Sequence, residues 1–242
     1  MSARLKHFGW GREGEGLSAD EEAFVLARAQ ARFGATLAQG ATAPRLEEIA
    51  LPEPRVSAPA SLPFCSSDHY DRAAHTFGKS YPDLVRALAR DYAGAPDVVA
   101  YPRDEAEVAA VLDWAGGADA TVTPFGGGSS VCGGVEPKRN GHKGAVTVDL
   151  RNLGKVKEVD KISRAALIEG GTYGPALEAQ LRPHGLTLRH FPQSFEYSTL
   201  GGWIATRGGG HFATLYTHID DLVESLRTVT PKGLIRGASA VR

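Results

Sequence analysis

The first periodic stretch of the chain runs from Ala19 to Phe33, introduced by the capping box Ser18-Ala-Asp-Glu21 and closed by Gly34; it predicts a short helix. From Ala41 to Pro63 the pattern dissolves. Prolines 44, 52, 54, 59 and 63 forbid a continuous helix or central strand, leaving an extended arm laid over a surface or a flexible tether. Tyr81-Pro82 then opens a helix with Leu84, Val85 and Leu88 on one apolar face and Gly94 as its stop. Val98 to Tyr101 reads as a strand. Asp104 with Glu107 caps a helix whose Val108, Val111, Leu112 and Ala115 fall at i, i+3, i+4 and i+7 before Gly116-Gly117. Thr121 to Thr123 is the next strand.

Short strands follow at Ala145 to Leu150, Val156 to Val159 and Ala165 to Glu169, then a helix with Pro175 at its start, Leu177 and Leu181 on one face and Gly185 after its end. The last element, Leu222 to Val229, has the β-branched content of a strand and leads into a Pro231-Lys-Gly233 turn. The alternation gives a mixed class, α/β or α+β, with no internal repeat.

Composition narrows this only by exclusion. With 242 residues and 42% hydrophobic content, the chain can bury a core, as one large domain or two small ones. A formal net charge of −1 with interspersed signs gives no electrostatic case for nucleic acid or an anionic membrane. No apolar run has the length of a membrane span, and the amino terminus lacks a secretory pattern, so the expected location is cytoplasmic. Cys65 and Cys132 follow no metal spacing and the histidines are scattered, so no metal site is expected.

The candidate chemistry lies in TVTPFGGGSSVCGG, residues 121–134. Three successive glycines after a strand imply a tight turn or close approach to bare main chain. The nucleotide P-loop pattern fails, because Gly133 is followed by Gly134-Val135 where lysine and a hydroxyl should stand. The dinucleotide pattern GxGxxG fails at Val131. There remain a nest of N–H groups for an anion such as a pyrophosphate, or a plain tight turn. A second stretch, residues 191–210, is rich in hydroxyls, glycines and aromatics and suits a flat polar ligand.

Taken together, PFGGGSSVCGG, IEGGTYGPALEAQLRPHGLTLRHFPQSFEYSTLGGWIATRGGG and IDDLVESLRTVTPKG resemble the FAD-binding half of the vanillyl-alcohol-oxidase type (PCMH-type) of FAD enzymes. PQSFEYSTLGGWIATR and the amino-terminal KHFGWG resemble the alkyldihydroxyacetonephosphate synthase branch, as do Asp71-Arg72 and Gly78. The resemblance implies an α+β fold: a PCMH-type FAD-binding domain of two α+β subdomains, here residues 81–242. Ahead of it stand an amino-terminal helical segment, 1–40, and a Pro-rich arm and lead-in, 41–80. It implies non-covalent FAD, with the pyrophosphate on Pro124, Phe125, Gly126, Gly127, Gly128, Ser129 and Ser130. The flavin and its phosphoribityl chain would lie along Gln193, Ser194, Phe195, Glu196, Tyr197, Ser198 and Thr199, and along Thr206, Arg207, Gly208 and Gly209.

Some of these residues have plainer readings. Arg207 near a strand end is otherwise a surface charge or a structural ion pair. Trp203, in an apolar-flanked strand, fits a core position better than a flavin stack. Cys132 needs no covalent role.

By the resemblance the activity is ether-lipid synthesis, exchanging an acyl for an alkyl group through a flavin adduct. The alternatives are oxidation of an alcohol or hydroxy acid and an inert truncated remnant. Family members continue well past Arg242, with the substrate cap and acid/base residues beyond it, so no catalytic residue is assigned and the chain alone is expected to be inactive. The partners implied are a small-molecule or lipid-like substrate and no nucleic acid, with room for peripheral membrane contact through the part beyond Arg242. Oligomeric state is not implied.

Overall fold

The computed structural model describes residues 4–34, 42–216 and 218–237. Parts of the expected amino-terminal segment and of the arm (1–3 and 35–41), and the carboxy-terminal 238–242, lie outside the described residues. Helix α1, Ala19–Phe33, has the expected capping box, and Gly34 closes it in the left-handed region at φ 63°, yet it buries none of its residues. The proline-rich stretch is an arm laid on a surface: Ile49, Val56 and Leu62 are buried along it. Its carboxy-terminal end becomes β1, Cys65–Ser66, followed by α2, His69–Ala74. Arg72, buried in α2, donates to Pro96 O at 2.7 Å and to Pro52 O, tying the arm down.

Helix α3, Tyr81–Leu88, starts at the N-cap Ser80 with Pro82 in its first turn. It ends at Leu88, six residues before Gly94, and the chain turns away at Arg90 with φ 61°. Its buried face is Asp83 and Ala87, and Val85, expected on the apolar face, is exposed.

Strand β2, Val98–Ala100, helix α4, Glu105–Gly117, and strands β3, Ala120–Phe125, and β4, Gly144–Asp149, build the first subdomain. The sheet order is β1-β2-β4-β3, with β1 antiparallel to β2 and β4 parallel to both its neighbours. Strand β3 is longer than its β-prone tripeptide and includes Pro124, which a ladder tolerates because β3 is an edge strand. Val98, Ala100, Val146 and Val148 pack against Val111 and Ala115 of α4, forming the first core.

The second subdomain pairs β5, Val156–Asp160, with β6, Ala165–Ile168, and covers them with α5, Gly174–Leu181, and α6, Leu200–Ala205. Leu177, Leu181, Leu200, Trp203 and Ile219 form its core. Trp203 is a core residue as expected, but on a helix and not a strand. After α7, Ala213–Tyr216, the expected strand at Leu222 to Val229 is displaced. Ile219–Leu222 is a 3-10 turn, and the strand is β7, Arg227–Thr230, in a hairpin with β8, Gly233–Arg236.

Candidate cofactor site

The glycine loop leaves the carboxyl end of β3, where Leu150 N–H donates to Phe125 O at 3.0 Å and ends the pairing with β4. Beneath it is a buried polar cluster. His75 Nε2 lies 2.9 Å from Asp149 Oδ2, and the His75 and Phe125 ring centroids are 4.3 Å apart. Arg151 Nε donates to the same carboxylate at 2.9 Å and stacks over Tyr101, whose hydroxyl donates to Asp71 at 2.6 Å. Burial pushes the Asp149 carboxyl up, but His75 and Arg151 more than reverse this and hold it below the usual carboxylate range. Burial, with the neighbouring Asp71, raises the Tyr101 phenol.

The three glycines are bare for a reason the sequence could not supply. A Cβ on Gly126 would lie 2.2 Å from Thr199 Oγ1, and one on Gly127 would lie 1.7 Å from Tyr197 O. One on Gly128, where φ is +68°, would lie 2.4 Å from the Phe125 ring. The loop is therefore pressed against the second candidate segment by the protein itself. Around it, Tyr173 Oη donates to Gly126 O at 3.2 Å, Tyr173 bridges Thr199, and Gly174 N–H donates to Ser198 O at 3.3 Å. Burial pushes the Tyr173 phenol up to about 12, so it stays a donor.

An anion fits here. Gly127 and Gly128 are buried, Ser129 and Ser130 half-buried, and none of their four main-chain N–H groups finds an acceptor among the described residues. A buried N–H left unmade costs about 1–3 kcal/mol. Successive unpaired donors in a glycine turn form the concave nest that a pyrophosphate satisfies. Ser130 Oγ instead accepts from Gly134 N–H at 2.9 Å and stands 3.6 Å from the exposed Cys132 thiol.

The second segment is a 3-10 turn, Phe195–Tyr197, leading to Thr199 at the N-terminus of α6. Ser198 is fixed by donating to Ser194 O at 2.7 Å and accepting from Trp203 Nε1 at 2.6 Å. Gln193 and Glu196 are exposed. Thr206, Arg207, Gly208 and Gly209 are not brought to the glycine loop: they follow the other end of α6, about 9 Å away at 1.5 Å per residue. There Arg207, with φ 52°, pairs with Asp220 at 2.7 Å on the surface. It follows a helix, not a strand, and makes the structural ion pair that was its plainer reading.

Sequence reasoning missed several participants. Tyr173 lies within the quoted IEGGTYGP stretch without being given a role, and the His75–Asp149–Arg151 cluster carries no local motif, since the meaning of each lies in contacts far along the chain. Trp10 packs edge-on against Tyr197 at 5.7 Å, and Tyr70 Oη donates to Leu5 O at 2.6 Å, so the amino-terminal segment closes over the second segment. His190, buried against Trp203, has an unpartnered Nε2, and burial lowers its pKa.

Two α+β subdomains with a main-chain anion nest between them define a dinucleotide-binding protein of the flavin type. A family model described as FAD binding domain matches residues 96–239, more than half of the chain, and the chain belongs to that family; FAD is its cofactor. It is similar to alkyldihydroxyacetonephosphate synthase of Dictyostelium discoideum, 41% identical over 175 residues, covering 72% of this chain and 28% of the relative. The protein of that name from Trypanosoma brucei brucei is 37% identical, covering 69% of this chain and 28% of the relative. A solved structure of alkyldihydroxyacetonephosphate synthase in P1 matches with a TM-score of 0.82 at 32% identity, over 96% of this chain and 48% of that one. The chain thus spans 28% of the length of these curated relatives.

Proposed function

We propose that this chain is the pyrophosphate-gripping part of a flavoenzyme that exchanges the acyl group of an acylated dihydroxyacetone phosphate for an alkyl group, as the name of its relatives suggests. The observation that carries the reading is the seam at which Gly126 and Gly127 lie against Thr199 and Tyr197, leaving four N–H groups without acceptors. Pro124 to Ser130 hold the pyrophosphate and Gln193 to Thr199 the adjoining chain of the cofactor. Thr206 to Gly209 lie toward the flavin, so that the extended cofactor spans α6. FAD supplies the electron chemistry; the residues of this chain bind it, orient it and exclude water from its phosphates. The substrate cap and the acid/base groups belong to segments outside this chain, which alone performs no turnover.

The test is titration of the purified protein with FAD, followed through flavin fluorescence. A protein with the relatives' full length is then assayed for alkyl exchange with a fatty alcohol and for dye reduction with alcohols and hydroxy acids. Saturable FAD binding with alkyl exchange supports the reading. Dye reduction without exchange replaces it with an oxidase, and no FAD binding removes it.

A further inference from the structure

The segment leading into α3 carries a cation that the fold leaves without an acceptor. Lys79 precedes the N-cap Ser80, and its main-chain N–H donates to Ser130 O at 2.7 Å. A Cβ on Gly78 would lie 2.2 Å from the same oxygen, so the two stretches of main chain touch at the end of the glycine loop. Main-chain contacts therefore hold Lys79 there. The side chain is half-buried, and its ammonium makes no hydrogen bond or ion pair among the described residues.

The acids nearby are already engaged. Asp83 Oδ2 accepts from Ser80 N–H at 3.0 Å and Oδ1 from Arg86 at 2.6 Å, while Arg86 also reaches Glu136 at 2.6 Å. Burial pushes the Lys79 amine down to about 8, and only the Asp83 charge opposes that fall. An ammonium desolvated without a partner weakens the fold, and an anion at the neighbouring row of free N–H groups offsets that loss.

We propose that Lys79 supplies the positive charge for the FAD pyrophosphate, completing the main-chain nest of Gly127 to Ser130. The inference rests on the reading that this loop takes the pyrophosphate, and it adds the side chain that neutralises it. Lysine serves as a compact point charge for phosphate oxygens, where glycine N–H groups supply direction. The competing role is structural: Lys79 would balance Asp83 and Glu136, which share the single Arg86.

Binding of FAD, ADP and riboflavin to the purified protein separates these roles, together with melting of the ligand-free protein, for wild type, Lys79→Met, Lys79→Arg and Ser129→Asp. ADP carries the pyrophosphate without the flavin, and riboflavin the reverse. The expected result for Lys79→Met is a loss of affinity for FAD and ADP alike, about tenfold to a hundredfold for one charge-assisted hydrogen bond. Riboflavin binding should be unchanged and the ligand-free melting temperature equal or higher, with Lys79→Arg close to wild type. Unchanged ADP affinity in Lys79→Met, or a lowered ligand-free melting temperature with unchanged affinities, overturns the assignment. If Ser129→Asp loses ADP while Lys79→Met keeps it, the lysine alone is wrong; if neither variant loses it, the loop reading falls too.

Discussion

Gly127 has no room for a methyl group, because the Tyr197 carbonyl occupies the place where one would go. Gly127→Ala should therefore destabilise the protein as well as empty it of flavin. Overpacking costs about 1–3 kcal/mol, or about 2–10 °C in a domain of this size, measurable by calorimetry beside flavin content per chain. A flavin-replete variant with unchanged melting would contradict the packing account. The need for bare main chain was legible in three consecutive glycines; what presses on them was not, since Tyr197 and Thr199 come close only through the fold. Asp149 shows the same limit. Its carboxyl is held below the usual range, so its contribution is present above a normal carboxylate pKa of about 4 and is lost as pH falls through the lower folded value. Asp149→Asn should lower stability by about 3 kcal/mol at neutral pH, by leaving Arg151 and His75 without their shared partner. Its acid denaturation curve should be correspondingly flatter below pH ~4.

Among the elements, those with strong end signals were placed well from the sequence. The capping box of α1, Asp104 accepting from Glu107 N–H at 2.8 Å, and Gly185 after α5 all stand where expected. Elements without such signals were misplaced for physical reasons. The run LGGWIA is too short for periodicity to separate helix from strand, and Thr199 makes no side-chain cap to announce α6. The β7–β8 hairpin is paired outward from its turn, Thr230 with Gly233 to Arg227 with Arg236, so its strand begins later than β-branched content suggested. Helix α1 supplies a test of how little an element matters when nothing packs on it. It buries none of its residues, so Ala27→Pro should abolish its helicity and move the melting temperature by less than about 2 °C, as for surface changes within about 0.5 kcal/mol. A fall of several degrees would mean that the helix has a partner.

For the whole molecule, the two-subdomain plan and the FAD family were legible in the motifs, because both follow from strands and loops whose order is fixed. The closure of the amino-terminal segment over residue 197 was not, since no local pattern announces it. The chain spans 28% of the length of its curated relatives, and the proposed function leaves part of the cofactor's wall to segments outside it. Ligand stabilisation scales with affinity, so saturating FAD should raise the melting temperature of this chain only slightly, and that of a full-length relative substantially. A large shift in this chain, or turnover by it, would show that its half of the wall suffices. The Trp10–Tyr197 contact also sets the order of assembly on the ribosome. The residues that close the site are made first and meet their partner last, after roughly 10–40 s of synthesis at ordinary elongation rates. Throughout that interval the indole stays open to water, and to chaperones.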